Sequence, residues 1–174
     1  YVTAPGQSYY VLIANTSVIA DISFTGTFIP PPNPPPNDDI ATALEITTFP
    51  FTDPSVNFPD ADNEGPVPAG DGPCFELQPM VWYKFLADSD GDVTVSSGSG
   101  TFITAVYYTT DDLNAATNDD LNPITNCHAS ASGISASIES GTNYYVMVAS
   151  SIEIDVVFES TVLLPVELNE FSGK

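Results

Sequence analysis

The acidic residues carry the most direct chemistry that this sequence suggests. Asp88, Asp90 and Asp92 stand at alternate positions of a short segment that also contains Gly91. Carboxylate oxygens are the ligands that calcium prefers, so the three residues are a candidate metal site, although the glycine and glutamate of an EF-hand loop are missing. The other interpretation is a turn, in which Asp and Gly supply the backbone angles. Both interpretations stay open at this point.

Residues that could act as a nucleophile and its base are few. The only histidine, His128, directly follows Cys127. Side chains of successive residues diverge, whereas a nucleophile needs its base within hydrogen-bond reach. The sequence also lacks the G-x-S-x-G, H-E-x-x-H and phosphate-loop motifs. We therefore expect that the chain is not an enzyme and requires no cofactor, with calcium as the metal that the residues suggest.

Three aromatic residues, Trp82, Tyr107 and Tyr108, are candidates for stacking against sugar rings. All three lie in segments with the pattern of a strand, where an aromatic side chain commonly belongs to the core. Exposure separates the two interpretations. Several exposed aromatic rings on one face would favour sugar binding.

The charge balance excludes two classes of partner. The chain has 23 acidic residues and two basic ones, Lys84 and Lys174, for a formal net charge of −21. Such a surface repels nucleic acid and anionic lipid. No apolar run approaches the roughly 18–20 residues that span a bilayer. We expect no nucleic-acid partner and no membrane insertion. The missing initiator Met favours a mature or truncated form.

Along the chain, short segments rich in aromatic and β-branched residues alternate with turn residues, and no amphipathic helix of ordinary length occurs. Only a short helical turn is expected, at residues 41–44, capped by Asn37 or Asp38. The predicted strands are residues 18–28, 44–51, 80–87, 93–95, 102–110, 134–138 and 152–158. The segments at residues 9–13 and 144–148 are apolar on both faces and are predicted to be central strands. Long irregular loops are expected at residues 53–79 and 111–128. This pattern predicts an all-β protein, an antiparallel β-sandwich or jelly roll.

One segment of the chain occurs twice. Residues 6–14 read GQSYYVLIA and residues 141–149 read GTNYYVMVA, with five of nine positions identical. The strand that follows also repeats, because residues 21–24 match residues 155–158. Internal repeats identify modular architectures. The repeat predicts that the first residues of the chain are the last part of one module and that a second, complete module follows them.

The repeat and the composition divide the chain into four parts. Residues 1–28 are predicted to be the closing hairpin of a preceding or strand-exchanged module, residues 29–36 a stiff polyproline linker, residues 37–162 the complete β-sandwich module and residues 163–174 a tail. The predicted hairpin is apolar on both faces and needs cover from upstream sequence, from the second module or from another subunit by strand addition. The residues predicted to make this contact are Tyr9, Tyr10, Val11, Leu12, Ile13, Ile22 and Phe24.

The order of these motifs resembles the bacterial pre-peptidase C-terminal domain. The resemblance rests on the opening Asn-Asp-Asp at residues 37–39, on Val-Trp-Tyr-Lys-Phe at residues 81–85, on residues 102–107 and on the repeated segment at residues 141–148. The departure is Ile103-Thr104 where the family commonly has Asp-Thr. The resemblance implies a secreted β-sandwich without catalysis of its own, an accessory module of a larger protein.

A second resemblance lies at the end of the chain. LPVELNEFSGK, residues 164–174, is similar to the segment upstream of the sorting region in Bacteroidota proteins that leave by the type IX secretion route. This resemblance implies an extracellular or cell-surface protein. In such an oxidising environment Cys74 and Cys127 are expected to form a disulfide, with two buried free thiols as the alternative.

Two functions are expected from these sequence features. The first is a non-catalytic structural or adhesive module of a surface protein or fibre, with neighbouring copies or modules of the same protein as its partners. The second is a carbohydrate-binding accessory module of a secreted hydrolase, with surface glycans as partners. A third interpretation places a catalytic domain outside this chain.

Overall fold

The structure is a computed structural model, and it describes residues 33–61, 78–98, 100–113, 118–125, 128–130 and 132–161. The chain divides into two units, Tyr1–Asn33 and Pro34–Lys174. All strands described below belong to the second unit. The predicted hairpin with its contact residues, Cys74, Cys127 and the C-terminal tail lie outside the described residues.

The described residues form ten strands in two facing sheets. The strands are β1 (Leu44–Glu45), β2 (Phe51–Val56), β3 (Met80–Leu86), β4 (Gly91–Ser97), β5 (Phe102–Thr109), β6 (Asn122–Pro123), β7 (His128–Ser130), β8 (Ile134–Ile138), β9 (Asn143–Ala149) and β10 (Ile154–Ser160). The larger sheet has the order β1-β3-β9-β5-β6, with β7 also paired to β5, and the smaller sheet has the order β2-β10-β4-β8. All pairs are antiparallel except β1 with β3.

This architecture confirms the predicted all-β sandwich. The helical content of the described residues is limited to short 3₁₀ turns at Ile40–Thr42, Phe58–Asp60 and Asn118–Asp120. No helix in the described ranges is long and apolar enough to cross a membrane.

The inner faces of the two sheets supply the main core. Buried residues alternate with more exposed ones in the middle of β4, β8 and β10, which is the pattern of strands with one face toward a core and one toward water. Aromatic rings join the layers, because the Tyr83 ring of the larger sheet lies 4.8 Å from the Phe158 ring and 6.5 Å from the Phe51 ring of the smaller sheet. Other residues of this core are Val81, Val93, Val95, Phe102, Val106, Val146, Val148 and Val156.

The outer face of the larger sheet is also buried. Trp82, Tyr107, Tyr145 and Met147 form a second cluster there, against which Ile40 and other apolar side chains pack. This explains why β3 and β9 are apolar on both faces, as strands covered on both sides are.

A single polar residue ties the start of the module to the larger sheet. The Asn37 side chain donates from Nδ2 to the Trp82 carbonyl at 3.0 Å, and the Trp82 amide donates to the Asn37 carbonyl at 2.7 Å. Asp39, rather than Asn37 or Asp38, caps the following 3₁₀ turn, because its Oδ1 accepts from the Ala41 amide at 2.9 Å. The expected helical turn is therefore present near its predicted position, with a different cap.

The predicted hairpin geometry is wrong for the repeated segment that the structure describes. β9 lies in the larger sheet between β3 and β5, whereas β10 lies in the smaller sheet between β2 and β4. The intervening residues 150–153 cross between the sheets, and Ser150 stabilises the bend through hydrogen bonds with the amide and carbonyl of Ile152. Facing sheets lie about 10 Å apart, a gap that such a short connection can span.

Two further predictions at the element level need correction. The single strand expected at residues 44–51 is two strands in different sheets, β1 and β2, separated by residues 46–50. β2 then continues through Pro54 into the segment that was expected to be a loop. The strands expected at residues 80–87, 93–95, 102–110 and 134–138 are confirmed, with small changes at their ends.

Candidate functional site

A cleft opens between β8 and the β5–β6 side of the larger sheet. Its volume is about 380 Å³. The lining residues combine two tyrosines, one isoleucine, one carboxylate and three hydroxyl groups: Tyr108, Thr110, Ile124, Ser137, Glu139, Thr142 and Tyr144. A concave surface with apolar walls and a few polar groups is the usual form of a binding site.

The two tyrosines form the aromatic part of the cleft. Tyr108 on β5 stands opposite Tyr144 on β9 in the antiparallel register. Tyr144 is 2 % exposed, stacks on Phe85 and accepts a hydrogen bond from the Glu139 amide to its hydroxyl at 2.7 Å. Tyr108 is 37 % exposed. The cleft therefore has one fixed ring and one that a ligand can contact.

The offset of the two sheets explains why Tyr108 is exposed. Phe102, Val106 and Tyr108 share one face of β5 because side chains alternate along a strand, and the first two are buried in the core between the sheets. At Tyr108 this inner face opens into the cleft beside β8, the edge strand of the smaller sheet. Ile124, which follows β6, is likewise 37 % exposed.

The polar rim of the cleft comes mainly from the end of β8 and the turn after it. Ser137 points to the outer side of β8 and donates to Asp92 Oδ1 at 2.7 Å. Glu139 is exposed and adds a negative charge. This arrangement offers apolar contact and hydrogen bonds to a ligand. Its lining has one carboxyl group, whereas glycosidases commonly work with a pair.

Two of the three predicted sugar-binding aromatics lie elsewhere. Trp82 is 2 % exposed and Tyr107 is 0 % exposed, and they pack against each other with ring centroids 6.1 Å apart on the outer face of the larger sheet. Neither ring can stack on a ligand from solvent. Of the three candidates, only Tyr108 lines the cleft.

Of the predicted calcium residues, Asp88 and Asp90 lie in the connection between β3 and β4, whereas Asp92 is the second residue of β4. Asp90 Oδ1 accepts from the Ser140 amide at 2.8 Å, and Asp92 Oδ1 is bonded to Ser137. Within the described ranges, no three His, Cys, Asp or Glu side chains converge as a metal site would require. Asp88, Asp90 and Asp92 are therefore not gathered around one point. Calcium binding by them stays a prediction, and the geometry favours a turn.

This turn is not a hairpin, since β3 and β4 belong to different sheets. It runs beside the β8–β9 turn, and two hydrogen bonds join the two turns. The Gly141 amide donates to the Ala87 carbonyl at 2.8 Å, and the Ser140 hydroxyl donates to the Asp88 carbonyl at 3.0 Å. We call these two adjacent connections, residues 87–90 and 139–142, the paired turns.

A polar pair near the core was not expected from the sequence. The Tyr83 hydroxyl donates to Asp53 Oδ2 at 2.9 Å. Burial raises the pKa of Asp53, an effect that the hydrogen bond from Tyr83 opposes. Burial and the Asp53 charge together raise the pKa of Tyr83. The signal that the sequence offered was Asp53 itself, the one charged residue of residues 49–56.

No family model and no curated protein matches this chain. The resemblances to the pre-peptidase C-terminal domain and to the type IX sorting segment therefore rest on the sequence motifs and stay predictions.

Proposed function

We propose that the chain is a non-catalytic structural or adhesive module of an extracellular, surface-associated protein that assembles through strands shared between modules. The observation that carries this proposal is the place of the repeated segment in the fold. β9 has a partner strand on each side, and so has β10. The second copy of the repeat thus supplies one interior strand to each sheet.

The first copy of the repeat has the same requirements. Val11 corresponds to Val146 and Ile22 to Val156, and both of these counterparts are completely buried. A two-stranded unit is marginal in water. Residues with the sequence of central strands are stabilised only when further strands flank them. In this proposal, neighbouring modules or copies supply those strands. A head-to-tail contact of this kind builds a filament when it does not close.

The composition supports the same function. A net charge of −21 favours solubility and disfavours contact with nucleic acid or anionic membranes, which is consistent with an extracellular role. The sorting-type segment at residues 164–174 points to the cell surface.

A charged residue at the centre of the first copy tests the proposal. Val11→Asp in the full chain should lower the mass of the assembled species in sedimentation velocity, because a carboxylate would be buried without a partner. The control is Gln7→Asp, whose counterpart Thr142 is only partly buried. A parent chain that stays monomeric at high concentration, or a Val11→Asp chain that assembles like the parent, would contradict the proposal.

Carbohydrate binding remains the second candidate, and the cleft is the observation that favours it. Tyr108 offers an exposed ring, with Glu139 and hydroxyl groups around it. Binding of neutral oligosaccharides that is lost in Tyr108→Ser and kept in Tyr107→Phe would support this function. Equal binding by the two variants would place any sugar contact elsewhere.

A further inference from the structure

The two outer strands of the smaller sheet differ in how they present their free edges. β2 contains Pro54, which has no amide hydrogen, and Ser55, which has a φ of 52°. The register of β2 with β10 shifts at the same place, and Asp155 Oδ1 accepts the Ser55 amide at 2.8 Å. Proline and bulges on an edge strand prevent further strands from adding.

β8 has none of these protective features. It pairs with β4 in unbroken antiparallel register from Ile134 to Ile138, contains no proline or charged residue, and has no second neighbour in the described part of the chain. Its outward side chains, Ser135 and Ser137, are small. An edge of this kind accepts an added strand through its unpaired amides and carbonyls.

The cleft lies beside this edge. A strand added to β8 would extend the smaller sheet by one position, above the part of the larger sheet where Tyr108 and Ile124 are exposed. Every second side chain of the added strand would then point into the cleft, because side chains alternate between the faces of a strand. Apolar side chains at those positions would cover Tyr108 and Ile124.

We propose that the β8 edge and its cleft accept residues 18–28 from a second copy of this chain. This inference rests on the proposed assembly function and specifies its contact. The sequence of residues 18–28 alternates, since Ile22, Phe24 and Phe28 are separated by polar residues and glycine, and this pattern predicts a strand with one apolar face. Their counterpart, β10, is itself a strand of the smaller sheet, and the residues that match Ile22 and Phe24 are completely buried there.

The electrostatics and the other repeated strand favour the same choice. Residues 18–28 contain one charged residue, Asp21, so their addition brings little negative charge to a cleft whose lining already includes Glu139. Residues 9–14 fit less well, since their counterpart β9 belongs to the larger sheet and is buried on both faces.

A labelled peptide of residues 18–28 tests the site directly. The acceptor is the full chain carrying Phe24→Asp, so that its own segment does not compete. Fluorescence anisotropy should show saturable binding, weakened at least ten-fold when Ile124→Glu is added. Ile152→Glu is the matched control, because Ile152 is 50 % exposed and does not line the cleft. Tyr108→Ser is the second cleft variant and should also weaken peptide binding. Circular dichroism and thermal melting check that each acceptor is folded.

The outcomes separate this inference from the proposed function. Absent peptide binding, or equal binding to the Ile124→Glu and Ile152→Glu acceptors, overturns the inference even when the parent chain assembles. Peptide binding in the cleft by a parent chain that stays monomeric supports the inference and contradicts the assembly function. Tyr108-dependent binding of a neutral oligosaccharide without peptide binding overturns the inference in favour of the carbohydrate alternative. A peptide carrying Ile22→Asp and Phe24→Asp should not bind, and its binding would contradict the proposed strand contact.

Discussion

Asp53 and Tyr83 show how a polar pair can be kept next to an apolar core. Tyr83 is completely buried and its ring packs against Phe158, while its hydroxyl reaches Asp53 on the edge strand β2. The hydrogen bond satisfies a group that would otherwise lose its contact with water. The cost falls on Asp53, whose ionised form is disfavoured by burial.

The raised pKa of Asp53 makes a prediction with a definite sign. The folded state favours protonated Asp53 relative to the unfolded chain, so the contribution of this group to stability is greatest below the unfolded pKa of 3.8 and is lost as the pH rises through the folded pKa. Asp53→Asn, which keeps an acceptor for Tyr83, should therefore raise the melting temperature near pH 7. The gain should shrink as the pH falls toward 3. A gain that grows with acidification would contradict this account.

Gly133 and Gly141 offer a matched pair of substitutions. Both have positive φ, 91° and 77° respectively, but an added Cβ at Gly133 would overlap the Val95 carbonyl oxygen, whereas nothing lies within 4 Å at Gly141. Gly141→Ala carries backbone strain of about 1 kcal/mol. Gly133→Ala adds a steric conflict and should cost about 3 kcal/mol or more in urea unfolding. Equal losses of unfolding free energy in the two variants would mean that the backbone at Gly133, just before β8, can move away from β4.

At the level of elements, the paired turns hold the ends of both sheets together. Ala87 exchanges hydrogen bonds with the β8–β9 turn, donating its amide to the Thr142 carbonyl and accepting from the Gly141 amide. Ser140 adds two bonds, to Asp90 and to the Asp88 carbonyl. The Asp90 side chain therefore stabilises the paired turns through a hydrogen bond.

Substitutions of Asp90 separate the turn from a calcium site. Under the turn interpretation, Asp90→Asn keeps an acceptor for the Ser140 amide and should melt close to the parent, whereas Asp90→Ala should lose about 1 kcal/mol. Under the calcium interpretation, Asp90→Asn removes a charged ligand and abolishes any increase of melting temperature with added calcium. Melting in chelator and in millimolar calcium distinguishes the two.

Local patterns predicted the strands well and their partners poorly. The alternation in β8 and β10 and the apolar runs of β3 and β9 are properties of neighbouring residues, so they can be read from sequence. Which sheet a strand joins depends on distant residues, and for this reason β9 and β10 were expected to pair with each other.

The candidate site shows the same limit. Tyr107 and Tyr108 are adjacent residues of one type, yet one is completely buried and the other is 37 % exposed. The buried ring faces outward and is covered there, while the exposed ring faces the gap between the sheets. The exposure is decided by where β8 ends the smaller sheet, a feature that no local pattern reports. From the sequence, Tyr108 could be predicted only as one of three candidate ligand contacts.

At the scale of the whole molecule, acidity opposes the assembly that the repeat suggests. Each copy carries a formal net charge of −21, with 23 acidic and two basic residues. Two such copies repel each other at a distance, and salt screens this repulsion because the Debye length falls from about 30 Å at 0.01 M to about 8 Å at 0.15 M. Contacts through backbone hydrogen bonds and apolar side chains depend little on this screening.

The proposed assembly should therefore strengthen with ionic strength. Sedimentation of the parent chain between 0.01 and 0.5 M sodium chloride should show a rising fraction of assembled species, with most of the change below about 0.15 M, where screening changes most. The Phe24→Asp chain is the control: its donor strand is disabled, so it should stay monomeric throughout, which separates strand addition from general salting-out. Assembly that weakens as salt is added would indicate a contact between opposite charges. Such a contact would have to rely on the few cations of this chain, and strand addition at β8 would then no longer explain the assembly.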